Sequence, residues 1–313
     1  MSAVWDYLFG SPAFLIFGTY TLMMIVGLGI LLHLQLGVTG IGNFGVAGFW
    51  GAGLYAFGIM QVTYDVGFWP ALLVATAAGG VLGLITGWVI ADLDDDGVLA
   101  ATLAVATIVY LAIDSEKDIT GGRVGLGTID FPFDVGKRTD LAWLAILFGV
   151  VGVLLWYARR VHRSPYGRLL IATGTNEPLA RSLRKPVKRT KVGVMALTSA
   201  GMGALGGLYG PIVHFLFPTQ LTVAITVSVI TALVLGGQQR PLGAFVGALL
   251  TVGLFDIVIK LYVPLPKDLL EHAFPVTKQI IFGALLIFVL LFRPLGFLGR
   301  MRRERHVKGL SRV

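Results

Sequence analysis

The chain has 313 residues, 56% of them hydrophobic and only 13% charged, with a mean hydropathy of +0.82 and a formal net charge of +8. A water-soluble domain carries about 25% charge, so this sequence has too few ionisable groups to cover a water-facing surface, and its remaining apolar surface must face lipid. Cysteine is absent, which excludes disulfides and thiolate metal sites without naming a compartment.

The elements expected are membrane helices. The first apolar stretch, 13–35, is preceded by Asp6 and by no basic residue. It therefore lacks the positive leader of a cleaved signal peptide and reads as a retained helix, long enough to cross a bilayer at about 20 residues. Further spans follow at 42–62, 67–91, 97–114, 141–158, 192–217, 222–237, 241–263 and 277–293. The glycine-dense second span is the place where a broken or re-entrant segment is expected. The fold class is thus all-α, a polytopic bundle of about eight to ten transmembrane or re-entrant helices in a single domain, 1–313.

The basic residues fix its orientation. None precedes Lys117, ten lie from Arg159 to Lys191, and seven lie from Arg293 to Arg312. Both clusters directly follow apolar spans, the mark of cytoplasmic segments; a nucleic-acid footprint is not needed to explain them. The segment 159–191 is read as a cytoplasmic loop and 294–313 as a basic cytoplasmic tail. Four spans lie between them, the even number that this requires. Counting back places 115–140 outside, the acidic turn at 92–96 inside and the N-terminus outside, and Arg240 also falls inside.

Two glycine turns echo each other. Gly42-Asn43-Phe44-Gly45 leads into Gly48, Gly51 and Gly53, and Gly236-Gly237-Gln238-Gln239-Arg240-Pro241 leads into Gly243 and Gly247. Both open a small-residue helix at the cytoplasmic side, as in transporters built from structural repeats with interrupted helices, although two glycine-rich helices can match by chance.

Four segments, in order, resemble the LivH/LivM-type permeases of hydrophobic amino-acid ABC importers. Gly37 to Gly53, GVTGIGNFGVAGFWGAG, is similar to that family's glycine-rich second-helix signature. Thr120 to Ile129, TGGRVGLGTI, is similar to its external segment, Ser164 to Lys191 to its cytoplasmic coupling loop, and Leu233 to Gly247, LVLGGQQRPLGAFVG, to its second glycine turn. The resemblance implies a permease subunit that pairs with an identical or related permease in a bacterial or archaeal cytoplasmic membrane. It also implies two cytoplasmic ATPase subunits, which hold ATP and Mg, and an external solute-binding protein. The implied solutes are branched-chain amino acids, other amino acids, urea or short amides.

The residues supply candidate sites of their own. In the loop, Asn176 suits a helix cap, and Glu177 and Pro178 suit the first turn. Leu179, Ala180 and Leu183 then give an apolar edge; with Arg181 these residues form the candidate ATPase-coupling site, the alternative being a merely solvated loop. Arg184 stands where the family pattern has a glycine, and 171–174 lack an arginine that relatives often carry. In the second span, Asn43, Phe44, Gly45, Gly48 and Gly51 suit either close helix packing or the lining of a pathway beside unwound backbone. Thr120, Gly121 and Gly122 form an external turn that could present backbone N–H groups to an anion or simply connect two helices.

Asp256 and Lys260, four apart in the eighth span, read as an internal ion pair, and His33 and His214 as satisfied interfacial histidines. Asp92-x-Asp94-x-Asp96-Gly97 matches the start of a calcium loop, but its twelfth position is Leu103 where a bidentate glutamate is needed. No phosphate-binding loop, H-E-x-x-H or G-x-S-x-G motif occurs. No cofactor is expected in this chain, and the sequence argues against an enzyme. A self-contained secondary transporter or channel is the alternative, disfavoured by the scarcity of intramembrane acids and bases.

Overall fold

The computed structural model describes residues 12–133, 136–253, 274–292 and 296–298. Helix α1 (Pro12–Leu32) continues through a wider π-helical turn, His33–Val38. Then come α2 (Val46–Val62), α3 (Phe68–Ile90), α4 (Asp95–Ser115), the short α5 (Lys117–Thr120), α6 (Thr139–Arg163), two short helices α7 (Pro165–Thr175) and α8 (Glu177–Ser182), α9 (Val187–Val213), α10 (Val223–Gly236), α11 (Pro241–Ala248) and α12 (Phe274–Phe292). Six of the described helices are long and apolar enough to cross a membrane, and three shorter apolar ones accompany them. The chain is a multi-pass membrane protein with the expected helical bundle.

Small residues set the packing. On α3, Ala71, Ala75, Gly79, Gly83 and Gly87 recur every fourth position and are all buried. They meet Met195, Ser199 and Gly203 of α9 so closely that a Cβ on Gly83 would stand 2.4 Å from that of Ser199. Without a hydrophobic drive between helices in lipid, such close backbone approach supplies the attraction. Helix α9 lies at the centre, with α2 and α3 against it, and α1 joins them across Leu205, which meets Gly27.

Contacts between elements show which loops lie together. Lys188, at the start of α9, pairs with Asp92 in the acidic turn at 2.5 Å, so the acidic turn and the basic loop share one side. On that side His33 also reaches both the Gln238 carbonyl (2.7 Å) and His162 (3.0 Å). On the opposite side, Leu126 and Leu216 exchange backbone hydrogen bonds at 3.0 and 3.2 Å.

Several helix ends differ from the sequence reading, two of them around the basic loop. Helix α6 runs to Arg163 instead of ending at 158, and α9 starts at Val187 instead of 192. Both project charged turns beyond the apolar zone, so the segment joining them is 164–186. The second span is helical only from Val46. Residues 254–273, which hold Asp256 and Lys260, and most of the basic tail lie outside the described residues.

Candidate functional site

The joining segment 164–186 is a structured platform. Ser164 caps α7 by accepting from the Gly167 N–H at 3.0 Å, with Pro165 in the first turn. Asn176 caps α8 by accepting from the Leu179 N–H at 3.0 Å, and Pro178 needs no partner there. Helix α8 ends with Lys185 N–H donating to the Ala180 carbonyl at 3.1 Å. That closure needs a left-handed residue, and Arg184 takes it with φ +56°. This is the position where a glycine is usual in the family pattern. A side chain in that region costs about 1–2 kcal/mol. Arg184→Gly is therefore expected to slow hydrogen exchange at the Leu183 and Lys185 amides by about fivefold, a gain of about 1 kcal/mol.

Glu177 anchors the platform to the bundle. One carboxylate oxygen accepts from Arg181 at 2.7 and 3.0 Å, and the other meets Lys191 of α9 at 2.6 Å. Partial burial opposes its ionisation, but the hydrogen bonds from Lys191 and Arg181 outweigh this and hold its carboxyl below the usual value. A depressed carboxylate stabilises above its unfolded pKa and loses that contribution as pH falls through the folded one. The anchor therefore holds throughout neutral pH. Ala180 is buried beneath the helix, whereas Leu179 and Leu183 are 55% and 64% exposed. Of the apolar edge read from the sequence, one residue faces the bundle and two are exposed.

The platform rests on the interrupted segment that leads into α2. A Cβ on Gly174, in α7, would stand 2.7 Å from the Thr39 carbonyl carbon. A polar cavity of about 350 Å³ lies at this junction, lined in part by Gly40, Asp95, Thr173, Asn176, Glu177 and Lys191. Beyond it the chain is non-helical until α2 begins. Gly45 meets the Thr102 carbonyl, and Thr102 lies seven residues into α4, so α2 starts about 10 Å along that helix. Non-helical backbone at such depth must be satisfied internally. Here Asn43 Nδ2 donates to Gln35 at 2.8 Å, Gln35 Nε2 donates to Thr198 at 2.6 Å, and Asn43 Oδ1 accepts from the Gly45 N–H at 2.7 Å.

Asn43 is 1% exposed, so in this conformation its amide holds the segment together and is not presented to a solute. Asn43→Leu would strand the Gly45 N–H and the Gln35 carbonyl oxygen, at about 1–3 kcal/mol each. A clear fall in the melting temperature of the purified chain is the expected result. Phe44 is 36% exposed, and its N–H donates to Thr102 at 3.0 Å. Gly48 lies against Ala106 of α4, and Gly51 against Leu221.

A second cavity, of about 520 Å³, opens beside α2. Ala47, Ala106, Thr107, Tyr110, Thr222 and Thr226 contribute to its lining. The Ala47 N–H donates to Thr226 at 3.0 Å, which sets the start of α10 level with the start of α2. Helix α10 is preceded by a 3-10 turn at Pro218–Leu221 and by an extended Thr222. The Thr107 hydroxyl is used by the Leu103 carbonyl at 2.9 Å. Those of Tyr110 and Thr222 have no partner among the described residues. The starts of α2 and α10 thus meet at one cavity. The sequence reading marks both places, the first through its glycines and the second as the gap between the spans 192–217 and 222–237.

The Thr120–Gly122 turn spends donors internally. Thr120 donates to the Ile113 carbonyl at 2.7 Å, and its hydroxyl accepts from the Gly122 N–H at 3.2 Å. Gly121 and Gly122 have φ of +71° and +52°. The N–H of Gly122 also donates to the Glu116 carbonyl at 3.0 Å, and those of Val124 and Gly125 are paired as well. The segment is a turn in which the Gly122, Val124 and Gly125 N–H groups are already engaged. His214 bonds the Ile129 carbonyl at 3.2 Å. Among the described residues no group of three or more potential metal ligands occurs.

Comparison with known proteins agrees with this architecture. The family described as branched-chain amino acid transport system / permease component matches residues 13–290. The chain is 25% identical to the high-affinity branched-chain amino acid transport system permease protein LivM of Escherichia coli (strain K12), over 93% of this chain and 71% of that one. The LivM permease of Salmonella typhimurium matches to the same extent. A probable branched-chain amino acid transport permease protein LivH of Methanocaldococcus jannaschii is 24% identical over 89% of each chain. These relatives are transport permeases and not enzymes. With the match running through nearly every described helix, the chain belongs to the permease-component family of branched-chain amino acid transport systems.

Proposed function

We propose that this chain is one of two permeases in a binding-protein-dependent importer of a bacterial or archaeal cytoplasmic membrane. Its solute is a branched-chain amino acid or a related small polar molecule. Separate cytoplasmic ATPase subunits, holding ATP and Mg, dock on α7–α8. An external binding protein delivers the solute. The observation that carries this reading is the seating of α8: Glu177 ties it to α9, and α7 presses on the chain that enters α2. A push on the platform then moves the central helix and the interrupted segment together. The open cavity beside α2 and α10 supports a second permease as its missing wall, since unpaired hydroxyls are poorly matched to lipid.

Reconstitution with candidate ATPases and binding proteins tests the proposal. Uptake of leucine, isoleucine or valine into proteoliposomes that requires internal ATP and all components is expected. Uptake by the purified chain alone, without ATP, would instead make it a self-contained transporter.

A further inference from the structure

The outward face of α3 and α9 carries two hollows stacked along the same helix pair. The deeper is a furrow of about 550 Å³ with apolar walls that include Ala77, Gly80 and Leu84 on α3 and Gly193, Ala196 and Ala200 on α9. Its one polar side chain, Thr76, donates to the Leu72 carbonyl at 2.7 Å and so adds no free polar group. The other hollow, about 440 Å³, lies at the cytoplasmic end and is lined by Asp92, Arg181, Lys185, Lys188 and Arg189 among others. Arg189 stands one helical turn from Gly193, and Trp88 one turn from Leu84. The Trp88 ring is 65% exposed and lies beneath Lys188, whose Nζ is 5.5 Å from the ring centre.

The charges of the upper hollow do not cancel. Arg181 is matched by Glu177, and Lys188 by Asp92. Lys185 and Arg189 are exposed and have no carboxylate within ion-pair distance among the described residues. We propose that these two hollows bind one anionic phospholipid of the cytoplasmic leaflet. Its phosphate lies against Lys185 and Arg189, its glycerol lies beside Trp88, and one acyl chain lies in the furrow. A basic pocket between membrane helices on the cytoplasmic side suits such a headgroup, and an aromatic ring suits the interface. The combination selects the occupant. A soluble anion leaves the furrow empty, and a helix of another protein leaves the two cations unmatched. A zwitterionic lipid brings its own cation to a positive hollow. The inference depends on the cytoplasmic side of the loop and not on which solute is carried, so it can fail while the transport reading stands.

Native mass spectrometry of the full purified chain tests it, with phosphatidylglycerol, phosphatidylcholine or glycerol phosphate added. One phosphatidylglycerol per chain is expected, with roughly tenfold weaker retention of phosphatidylcholine and no retained glycerol phosphate. The K185E/R189E double variant should lose about tenfold in phosphatidylglycerol retention at unchanged melting temperature. Gly193→Leu, whose new Cβ meets only the Tyr166 hydroxyl at an ordinary 3.5 Å, should fill the furrow and weaken both lipids. Equal retention of the two lipids, retention of glycerol phosphate, or full retention by both variants would overturn the proposal. So would a disulfide from Ala196→Cys to a second protein in the assembled complex.

Discussion

Leu179→Asp combined with Leu183→Asp is expected to reduce ATP-driven uptake by at least tenfold while leaving the chain folded in the membrane. Both side chains are mostly in water already, so their loss removes little from the fold; surface substitutions of this kind stay within about 0.5 kcal/mol. Burial of a leucine against a partner contributes about 1.5–3 kcal/mol, and the two residues lie one turn apart, Leu179 on α8 and Leu183 at its C-cap. Even the lower figure, taken twice, weakens docking by about a hundredfold. Ala180→Asp gives the opposite pattern, because Ala180 is 3% exposed: the platform itself should come away from the bundle. Melting temperature and uptake, measured together on the two variants, separate docking from folding.

Gly203→Leu is expected to abolish folding of the bundle. A Cβ at this position would stand 2.5 Å from the Ala75 carbonyl of α3 and 3.1 Å from the Gly79 Cα. From the other side, a Cβ on Gly53 of α2 would come within 2.3 Å of Gly203 itself. Two helices therefore touch the backbone of α9 at one residue, and a leucine must drive at least one of them away. Lost packing on that scale exceeds the usual 1–3 kcal/mol of overpacking, because no flexible side chain can yield. Gly149→Leu and Gly152→Leu on α6, where nothing stands within 4 Å, should melt at or above the parent temperature. Size-exclusion profiles of tagged variants in detergent check the contrast.

Much of this architecture is legible in the sequence, and the misses share a cause. Apolar runs record lipid contact, so they place the spans but not the helix ends. Arg159 to Arg163 continue α6, and Val187 to Lys191 begin α9, in turns too polar to register. The cap at Asn176 and the first turn at Glu177 are local, and both are readable. Glu177 meeting Lys191 is not, because a contact fourteen residues away across a turn has no periodic signal. Arg184 shows in the sequence only as a departure from a family pattern, and its left-handed backbone supplies the reason for the usual glycine. The interrupted segment was visible in Gly42 to Gly45, yet its depth depends on Gln35 and Thr198, which no spacing rule connects. The small-residue stripe of α3, from Ala71 to Gly87, was open to reading at its four-residue period.

Transport as proposed requires that residues 164–186 be a cytoplasmic seat for a separate motor. Since the chain has no cysteine, Leu183→Cys creates a single thiol at the exposed C-cap of α8. In oriented vesicles with the cytoplasmic face outward, a membrane-impermeant maleimide should label this thiol quickly in the permease alone. Labelling should slow at least tenfold when the ATPase subunits are bound. Labelling from the opposite face, or at an unchanged rate in the assembled complex, would contradict the account.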